Sequence, residues 1–359
     1  MSAQDGRFAV RDLSGHPTLE PVVELETRVG PLLAPCQDRI IAPELARFGV
    51  WEPAETRYLQ ATLRAGQTFV DVGANIGYFS VLAGGLVGPT GTVIAVEPEA
   101  RNLDLLHRNL WRNGCTGARV IPYAAGSRPA EMSLALDEEN RGAHRLVPAG
   151  HPEAGAPARC IRLDDVVPAQ VDVIKVDAQG YDHDVLDGLR HTLAANPEAI
   201  VLVELSHFEL GRRGLGCAEV VRRYEALDFC LAMLERDGSL RTVSAEEILA
   251  FVADPRCRDD FTLVLERCPT PPFTLASRPA RVDGLSVEEI SRGLMVSPPT
   301  GGRVHELNET AAVIFDLCTG ERSVASIARL VGRFYELDEV PEPAVQECLD
   351  RLRRMGIVR

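Results

Sequence analysis

Lysine is almost absent from this sequence. One of the 38 basic residues is a lysine, Lys175, and all the others are arginines. A genome that favours arginine codons explains the bias, but it does not explain why the remaining lysine stands just before an aspartate in the run VIKVDAQGYD (173–182). That position marks the run as a candidate functional site.

Other absences exclude whole classes of function. The nine cysteines include no C-x-x-C pair, which leaves a zinc ribbon or an iron–sulfur motif without support. The formal net charge of −14 opposes a general nucleic-acid binder, because phosphate contacts need a basic surface. No apolar run reaches membrane-spanning length, and the first residues lack the apolar core of a signal peptide. We therefore expect a cytoplasmic protein with reduced cysteines, whose partners include neither nucleic acids nor membranes.

The length of the chain predicts two domains, because 359 residues are more than one hydrophobic core usually serves. Residues 1–35 are weakly patterned and are predicted to be an N-terminal extension. Alternating strand-like and helix-like segments define a main domain over residues 36–268. Four prolines and few large apolar residues predict a linker at 269–282, and a smaller domain follows at 283–359.

Short runs rich in valine and isoleucine are the expected strands of the main domain. They are TFVDVG (68–73), TVIAVEP (92–98), ARVIPYAAG (118–126), VDVIKVDAQG (171–180) and AIVLVEL (199–205). Helix-like stretches such as 101–113 and 184–193 lie between them, so we predict an α/β domain with a mostly parallel sheet covered on both faces. A late hairpin made of residues 230–240 and 261–268 is expected to close the sheet.

A glycine-containing turn, DVGANIGYFS (71–80), joins the first strand to a helix. In a dinucleotide fingerprint counted from Gly73, the second and third glycine positions are occupied here by asparagine and tyrosine, so we expect a ligand without a phosphate. Gly73 and Gly77 allow a sharp turn and a close approach to a ligand. Turns of this kind also occur in α/β proteins that bind no ligand.

The second strand ends in Glu97, followed by Pro98. An acid at this position can accept hydrogen bonds from both ribose hydroxyls of an adenosine. Together with the preceding turn, it points to S-adenosylmethionine as the cofactor. The predicted cofactor-binding residues are Asp71, Gly73, Asn75, Gly77, Glu97 and Pro98.

These segments resemble the FkbM-type methyltransferases. The resemblance lies in FVDVGANIGYFS, VIAVEPEARNLDLLHRNL, RLDDVV (162–167), VIKVDAQGYDHDVLDG (173–188) and the preceding helix GVWEPAETRYLQATLRAG (49–66). It implies a class I Rossmann-like fold and methyl transfer from S-adenosylmethionine, mostly to hydroxyl groups. The family often has glutamate where this chain has Gln179, so we assign Gln179 to a polar contact with the substrate rather than to a base.

Asp177 lies at the carboxyl end of a strand, where ligands of open α/β sheets bind. Methyl transfer to an alcohol needs a positioned oxygen and a base, and Asp177 is the first candidate for that base. Lys175 leaves the strand on the same side and either pairs with Asp177, acts as a base if burial lowers its pKa, or only neutralises buried acids. Glu204 and His207 are further catalytic candidates, and two acids are too few ligands to predict a metal. The predicted substrate contacts are Gln179, Gly180 and Asn140.

The tail at 283–359 has a different pattern. GLMVS (293–297) and RVHEL (303–307) flank the turn-rich segment PPTGG and predict a β-hairpin, after which three helices are expected. The helices are predicted at 307–320, 323–335 and 341–356. This pattern resembles the PqqD-type peptide-chaperone fold, a small winged-helix-like α+β domain that serves as the recognition element of enzymes that modify ribosomally made peptides. The resemblance implies that a leader peptide adds as a strand beside the hairpin and packs against the last helix.

A winged-helix DNA binder has a similar topology, but the tail contains nine arginines against 13 acidic residues. The sequence is also compatible with a tail that serves as a scaffold or dimerisation module, in which case the protein would form a homodimer. The two resemblances together predict an O-methyltransferase for a ribosomally synthesised precursor peptide whose leader is bound by the tail. The alternatives are a small-molecule O-methyltransferase for sugar or polyketide hydroxyls with a degenerate tail domain, and a non-catalytic peptide escort.

Overall fold

The computed structural model describes residues 11–12, 21–137, 139–227, 229–254, 260–267, 273–297 and 304–359. They form two compact units. Unit 1 comprises the described residues of Met1–Val167, Val171–Arg190 and Ala199–Glu266, and unit 2 those of Pro168–Gln170, His191–Glu198 and Arg267–Arg359. None of the helices in these described ranges is long and apolar enough to cross a lipid bilayer.

The strands, in chain order, are β1 (Arg11–Asp12), β2 (Val22–Thr27), β3 (Gly30–Pro35), β4 (Thr68–Val72), β5 (Thr92–Val96), β6 (Arg119–Ile121), β7 (Ala124–Ala125), β8 (Ala130–Ala135), β9 (Arg145–Pro148), β10 (Ala156–Ile161), β11 (Val173–Val176), β12 (Ile200–Leu205), β13 (Phe229–Leu234), β14 (Leu240–Val243), β15 (Phe261–Arg267), β16 (Ser286–Ile290), β17 (Gly293–Ser297) and β18 (His305–Asn308). The α-helices are α1 (Ile41–Phe48), α2 (Pro53–Thr62), α3 (Tyr78–Val87), α4 (Ala100–Arg112), α5 (Asp182–Asp187), α6 (Arg190–Ala195), α7 (His207–Arg212), α8 (Cys217–Glu225), α9 (Ala245–Ala253), α10 (Glu309–Leu317), α11 (Val324–Phe334) and α12 (Glu342–Arg354).

The central sheet of unit 1 has the strand order β14-β13-β15-β12-β11-β4-β5-β6. The pairs β4–β5, β5–β6, β4–β11 and β11–β12 are parallel, whereas β15 runs antiparallel to β12. This arrangement confirms the predicted Rossmann-like α/β fold with a mostly parallel sheet. Because the chain builds outward from β4 in one direction and then returns to β11 on its other side, a crevice forms at the carboxyl ends of these strands.

Two predicted elements are interrupted. The run 118–126 divides into β6, in the central sheet, and β7, which joins a separate sheet of order β7-β10-β8-β9. The predicted helix 184–193 divides into α5 and α6 around Gly188, where a Cβ would lie 2.2 Å from the carbonyl oxygen of Gly126. The prediction of one continuous helix was wrong, because α5 ends before Gly188, its C-cap, whose N–H donates to Asp184 O. The close approach to Gly126 leaves no room for a side chain at this position.

The closing strands of the central sheet confirm the prediction in part. The two segments expected to pair, 230–240 and 261–268, cover most of β13 and all of β15, which are neighbours in the sheet. They do not form a simple hairpin, because β14 and α9 lie between them along the chain and β13 also pairs antiparallel with β14. The local pattern therefore indicated the right neighbours but not the elements that connect them.

Part of the segment predicted as an extension, 1–35, belongs to the core of unit 1. Strands β2 and β3 form a hairpin in which Leu32 and Leu33 are buried. The Asn109 side chain of α4 fastens it: Oδ1 accepts from Leu33 N (2.7 Å), and Nδ2 donates to Leu33 O (3.0 Å) and to Ile76 O (2.8 Å). One buried amide thus joins the hairpin to the glycine-containing turn.

Unit 2 contains an antiparallel sheet of order β16-β17-β18 followed by α10, α11 and α12. The pairing of β17 with β18 confirms the predicted hairpin, whose connecting residues 298–303 lie outside the described residues. Strand β16 was missed because its side chains are mostly exposed and carry no apolar alternation. Asn308 caps α10 as predicted, with its side chain accepting from Ala311 N (2.9 Å). The predicted buried face of α12 is confirmed for Val345, Leu349 and Leu352.

Part of the segment predicted to be a linker, 269–282, packs on a domain instead. Its described part, 273–282, packs on unit 2: Phe273 is buried in the core of that unit, and its backbone N–H donates to Asp350 Oδ1 (2.9 Å). Ala280 forms a β-bridge within the same unit. Proline disfavours helix interiors and central strands, but it does not prevent an extended segment from packing on a domain.

The described cysteines agree only in part with the prediction. Cys115, Cys160, Cys318 and Cys348 are free thiols, as expected for reduced cysteines. Cys230 is disulfide-bonded, which contradicts that expectation.

We expect Asn109→Ala to lower the free energy of unfolding of unit 1 by about 3 kcal/mol, because it leaves buried backbone groups of β3 and of the glycine-containing turn without hydrogen bonds. Both tryptophans, Trp51 and Trp111, belong to unit 1, so tryptophan fluorescence during urea titration follows this unit. His107→Ala, on an exposed position of the same helix, is the control and should change stability by less than about 0.5 kcal/mol. Similar losses in both variants would contradict the fastening role.

Candidate active site

A cavity of about 250 Å³ opens at the carboxyl ends of the parallel strands in unit 1. Its lining includes the glycine-containing turn at 73–76, Glu97, Asn102, the loop 140–144 and the strand end 177–179. The predicted site residues Gly73, Asn75, Glu97, Pro98, Asn140, Lys175, Asp177, Gln179 and Glu204 all line it. The topology thus brings together residues that are far apart in sequence.

Gly73 allows two of these strand ends to meet. Its φ of 81° lies in the left-handed region, and a Cβ at this position would lie 2.0 Å from the carbonyl oxygen of Asp177. The two ends are tied together, since Asp177 N donates to Val72 O (3.0 Å). Any side chain at position 73 would separate β4 from β11 and widen the crevice.

Four predicted site residues lie outside the lining that the described residues form, namely Asp71, Gly77, Gly180 and His207. Asp71 is buried beneath the turn, where its Oδ2 accepts from Ser80 Oγ (2.6 Å) at the start of α3. A Cβ on Gly77 would lie 2.6 Å from Leu106 Cδ1, so this glycine permits packing of α3 against α4. Both residues therefore support the conformation and packing of the turn without lining the cavity.

Glu97 forms one end of the cavity. It is 5% exposed, its Oε2 accepts from Asn75 N (2.9 Å) and its Oε1 accepts from Glu99 N (2.8 Å). Burial raises the pKa of Glu97 to about 7, against the lowering effect of these hydrogen bonds. Beside it, the amide oxygens of Asn75 and Asn102 are buried without a hydrogen-bond partner among the described residues. Acceptors of this kind fit a ligand that donates hydroxyl or amino hydrogens.

Lys175 lies at the other end of the cavity. Its Nζ lies 3.3 Å from Asp177 Oδ2 and 3.6 Å from Glu52 Oε2, and 4.6 Å above the centre of the Phe79 ring. Burial alone lowers the pKa of Lys175, but Glu52, Asp177 and two further acids together raise it well above its usual range. The surroundings therefore favour a permanent ammonium ion over a lysine that acts as a base.

Gln179 connects two acids at the tips of neighbouring strands. Its Nε2 donates to Asp177 Oδ1 (2.8 Å) and to Glu204 Oε2 (3.1 Å). Asp177 is thus held through both oxygens, by Gln179 and by Lys175. Burial and the charge of Asp177 raise the pKa of Glu204 well above its usual range. A raised pKa makes the Glu204 carboxylate more basic, so Glu204 is a candidate proton acceptor.

The loop after β11 is held in place by residues on the side that faces away from the cavity. Asp182 is buried and its carboxylate accepts from Ala178 N (2.9 Å) and Gly180 N (3.0 Å). The guanidinium of Arg213 stacks on the Tyr181 ring, 3.5 Å from its centre. These contacts fix the backbone that carries Gln179 into the cavity, and they explain why Gly180 itself faces away from it.

The loop 140–144 closes a further side of the cavity. Asn140 Oδ1 accepts from Gly142 N (3.1 Å), and the buried carboxylate of Asp38 accepts from Arg141 N (3.3 Å). The same carboxylate accepts from Ile41 N (2.6 Å) at the start of α1. Asp38 therefore holds α1 and this loop together.

Sequence reasoning missed Glu52. It lies directly before α2, lines the cavity and has a φ of 41°, which is uncommon for a residue other than glycine. No local signal distinguished it, since a glutamate followed by a proline also begins α12. Its partner Lys175 is far along the chain, so the pairing itself could not be predicted.

A second cavity, also of about 250 Å³, adjoins the first. The two share Trp51, Glu52, Lys175, Asp177, Glu204 and Asp260. The acids around Lys175 therefore form a wall between two spaces, one of which ends at Glu97. Within the described residues, no group of three or more His, Cys, Asp or Glu side chains has the arrangement of a metal site.

Gly73→Ala is expected to destabilise unit 1 more than Gly114→Ala does. Both glycines have left-handed φ values, 81° and 73°, so both substitutions strain the backbone by about 1–2 kcal/mol. A Cβ meets open space at position 114, whereas at position 73 it meets Asp177 O, which adds about 1–3 kcal/mol. Tryptophan fluorescence in a urea titration measures both effects, and equal losses would argue against a close approach of the strand ends.

Comparison with known proteins places these features in a family. The chain matches the family model of the methyltransferase FkbM domain over residues 71–257 and that of coenzyme PQQ synthesis protein D (PqqD) over residues 293–358. The PqqA binding protein of Methylococcus capsulatus is 36% identical over 72 residues, which are 20% of this chain and 74% of that protein.

Solved structures show only distant similarity. The methyltransferase FkbM from Methylobacillus flagellatus KT is 16% identical, with 58% of this chain and 50% of that chain covered and a TM-score of 0.37. An S-adenosylmethionine-dependent O-methyltransferase from Thermotoga maritima is 13% identical, with 72% and 86% covered and a TM-score of 0.38. Likeness of this degree carries no functional argument. The FkbM match, in contrast, spans more than half of the chain and includes both the glycine-containing turn and the cluster around Lys175, so the chain belongs to the FkbM methyltransferase family and carries a PqqD domain in its C-terminal part.

Proposed function

We propose that unit 1 methylates a hydroxyl group of a ribosomally synthesised precursor peptide with S-adenosylmethionine as the donor, and that unit 2 binds the leader of that peptide. The observation that carries the proposal is the cavity between Glu97 and the Lys175 cluster. It has hydrogen-bond acceptors at one end and a proton-accepting acid at the other. The FkbM and PqqD matches support the combination of the two activities in one chain.

The residues at the Glu97 end fit the adenosine of the donor. Glu97 offers a carboxylate to the two ribose hydroxyls, and the unpartnered amide oxygens of Asn75 and Asn102 offer acceptors to further donor groups. Gly73 keeps this part of the turn free of a side chain. When bound, S-adenosylmethionine supplies a methyl group that its sulfonium has already activated.

The residues at the other end fit a neutral hydroxyl acceptor. Glu204, Asp177 and Glu52 would repel a carboxylate acceptor. Asp177 is engaged through both oxygens, whereas Glu204 Oε2 is bonded to Gln179 and its Oε1 can take the hydroxyl proton. With S-adenosylmethionine bound, the sulfur–methyl bond would break as the substrate oxygen takes the methyl group, and Glu204 would receive the hydroxyl proton. Lys175 would hold Asp177 in place through their ion pair.

Unit 2 offers a sheet edge to the leader. Strand β16 covers one side of the predicted hairpin, and its exposed Glu288 and Glu289 disfavour pairing at its outer edge. We therefore assign leader binding to the outer edge of β18, where a peptide adds through main-chain hydrogen bonds. The name of the Methylococcus relative, a PqqA binding protein, supports a binding role for this domain.

The affinity for S-adenosylmethionine is expected to increase as the pH rises through about 7. The pKa of Glu97 is about 7, so the carboxylate is neutral below that pH and ionised above it, and the ionised form is the stronger acceptor for the ribose hydroxyls. The affinity should fall by up to about tenfold for each pH unit below 7. Calorimetry from pH 5.5 to 8.5 measures this.

Glu97→Gln is the matched control for that experiment, because its side chain does not titrate. The variant should bind the donor more weakly and with an affinity that does not change with pH. If wild type and variant show the same pH profile, Glu97 does not contact the donor through its carboxylate.

A precursor peptide assay tests the proposed function as a whole. We expect the full chain to add one methyl group to a hydroxyl residue of a synthetic precursor, detected by tandem mass spectrometry. A chain that ends at residue 272 keeps all of β15 and should keep donor affinity, but it should lose about 100-fold in kcat/KM because tethering no longer concentrates the peptide at the site.

A peptide without its leader is the control, since both proteins should modify it at the same low rate. Equal turnover of the full-length precursor by both proteins would contradict leader capture. Turnover of sugar or polyketide hydroxyls in place of the peptide would favour a small-molecule methyltransferase.

A further inference from the structure

Glu52 has an unusual backbone conformation that helix α2 does not require. Its φ and ψ are 41° and 77°, although a residue before proline normally adopts an extended conformation. Its side chain makes no capping hydrogen bond to α2. Instead, the conformation directs the carboxylate towards Lys175, with Oε2 3.6 Å from Nζ.

The contacts continue from Lys175 to the proposed base. Lys175 Nζ lies 3.3 Å from Asp177 Oδ2, Asp177 Oδ1 accepts from Gln179 Nε2 (2.8 Å), and the same Nε2 donates to Glu204 Oε2 (3.1 Å). An unbroken series of polar contacts therefore links the start of α2 to Glu204.

The ammonium of Lys175 has little freedom to choose other partners. Its side chain is 7% exposed, and the Phe79 ring closes one side. The acids that face it come from different elements: Glu52 before α2, Asp71 on β4, Asp177 after β11 and Glu204 on β12. Asp71 is already engaged by Ser80, so Glu52 is the acid opposite Asp177 that can hold the ammonium in place.

We propose that Glu52 is a positioning residue, which holds the Lys175 ammonium against Asp177 and through Asp177 and Gln179 orients Glu204 for proton transfer. This inference rests on the proposed function for the role of Glu204, but the contact between Glu52 and Lys175 does not. In this arrangement the start of α2 sets the geometry of the base, although Glu52 is separated from Glu204 by several side chains.

The single lysine of the chain allows a direct test of the contact. A protein labelled with [15N]lysine gives one side-chain ammonium signal by NMR, that of Lys175. In wild type this signal should be sharp, because a buried, ion-paired ammonium exchanges slowly with water. In Glu52→Gln it should shift and broaden, and in the control Glu44→Gln, an exposed position on α1, it should stay unchanged. An unchanged signal in Glu52→Gln would overturn the proposal.

Kinetics with the full chain and the precursor peptide test the positioning role. Glu52→Gln should lower kcat about tenfold, with the dissociation constant of S-adenosylmethionine unchanged within about twofold. Glu52→Asp should recover part of the loss. Because Glu52 acts through Lys175, adding Glu52→Gln to Lys175→Met should lower kcat no further. If the loss of kcat in the double variant equals the product of the losses in the two single variants, the proposal is overturned.

The outcomes separate this inference from the proposed function. If wild type leaves the precursor unmethylated, the proposed function fails, and the NMR comparison still tests the contact between Glu52 and Lys175. If wild type is active and Glu52→Gln has wild-type kcat, the positioning role fails alone. Tryptophan fluorescence shows whether Lys175→Met folds. If it does not fold, the NMR comparison and the kcat values of Glu52→Gln and Glu52→Asp test the positioning role of Glu52.

Discussion

The ion pairing of one buried ammonium organises the end of the cavity where we propose that catalysis occurs. Lys175 is enclosed in unit 1, and a buried charge is tolerated only when opposite charges surround it. Those charges come from the segment before α2, from the strands β4 and β12, and from the residue that follows β11. Four separate elements must therefore meet at one point before the lysine can be buried, and the candidate active site is the place where they meet.

The same requirement produces the chemistry that we propose. Burial, together with the negative charge of the neighbouring carboxylates, raises the pKa of Glu204, while Asp177 is held by two partners. The two acids at neighbouring strand tips thus have different surroundings, which is the basis of the different roles that we propose for them. The glycine at position 73 lets the residue Asp177 after β11 approach the glycine-containing turn closely.

Some of this could be predicted from the sequence because the signals are local. Buried parallel strands read as short apolar runs, so the positions of β4, β5, β11 and β12 were predicted closely. Residues at the ends of such strands lie at one edge of the sheet, which is why Glu97, Asp177 and Glu204, selected as site candidates from the sequence, line the same cavity. Helix caps are equally local, and Asn308 was predicted for that reason.

The tertiary structure determined the features that depend on contacts between residues far apart in the chain. Sequence alone determined the α/β class, the glycine-containing turn, the strand-end acids and the hairpin with three helices in the tail. Only the fold decided that Asp71 supports Ser80 from behind the turn, that β2 and β3 join the core through Asn109, and that Glu52 faces Lys175. The physical reason is that periodicity and turn residues describe the conformation of a segment, whereas burial, ion pairing and steric contact are properties of two segments brought together.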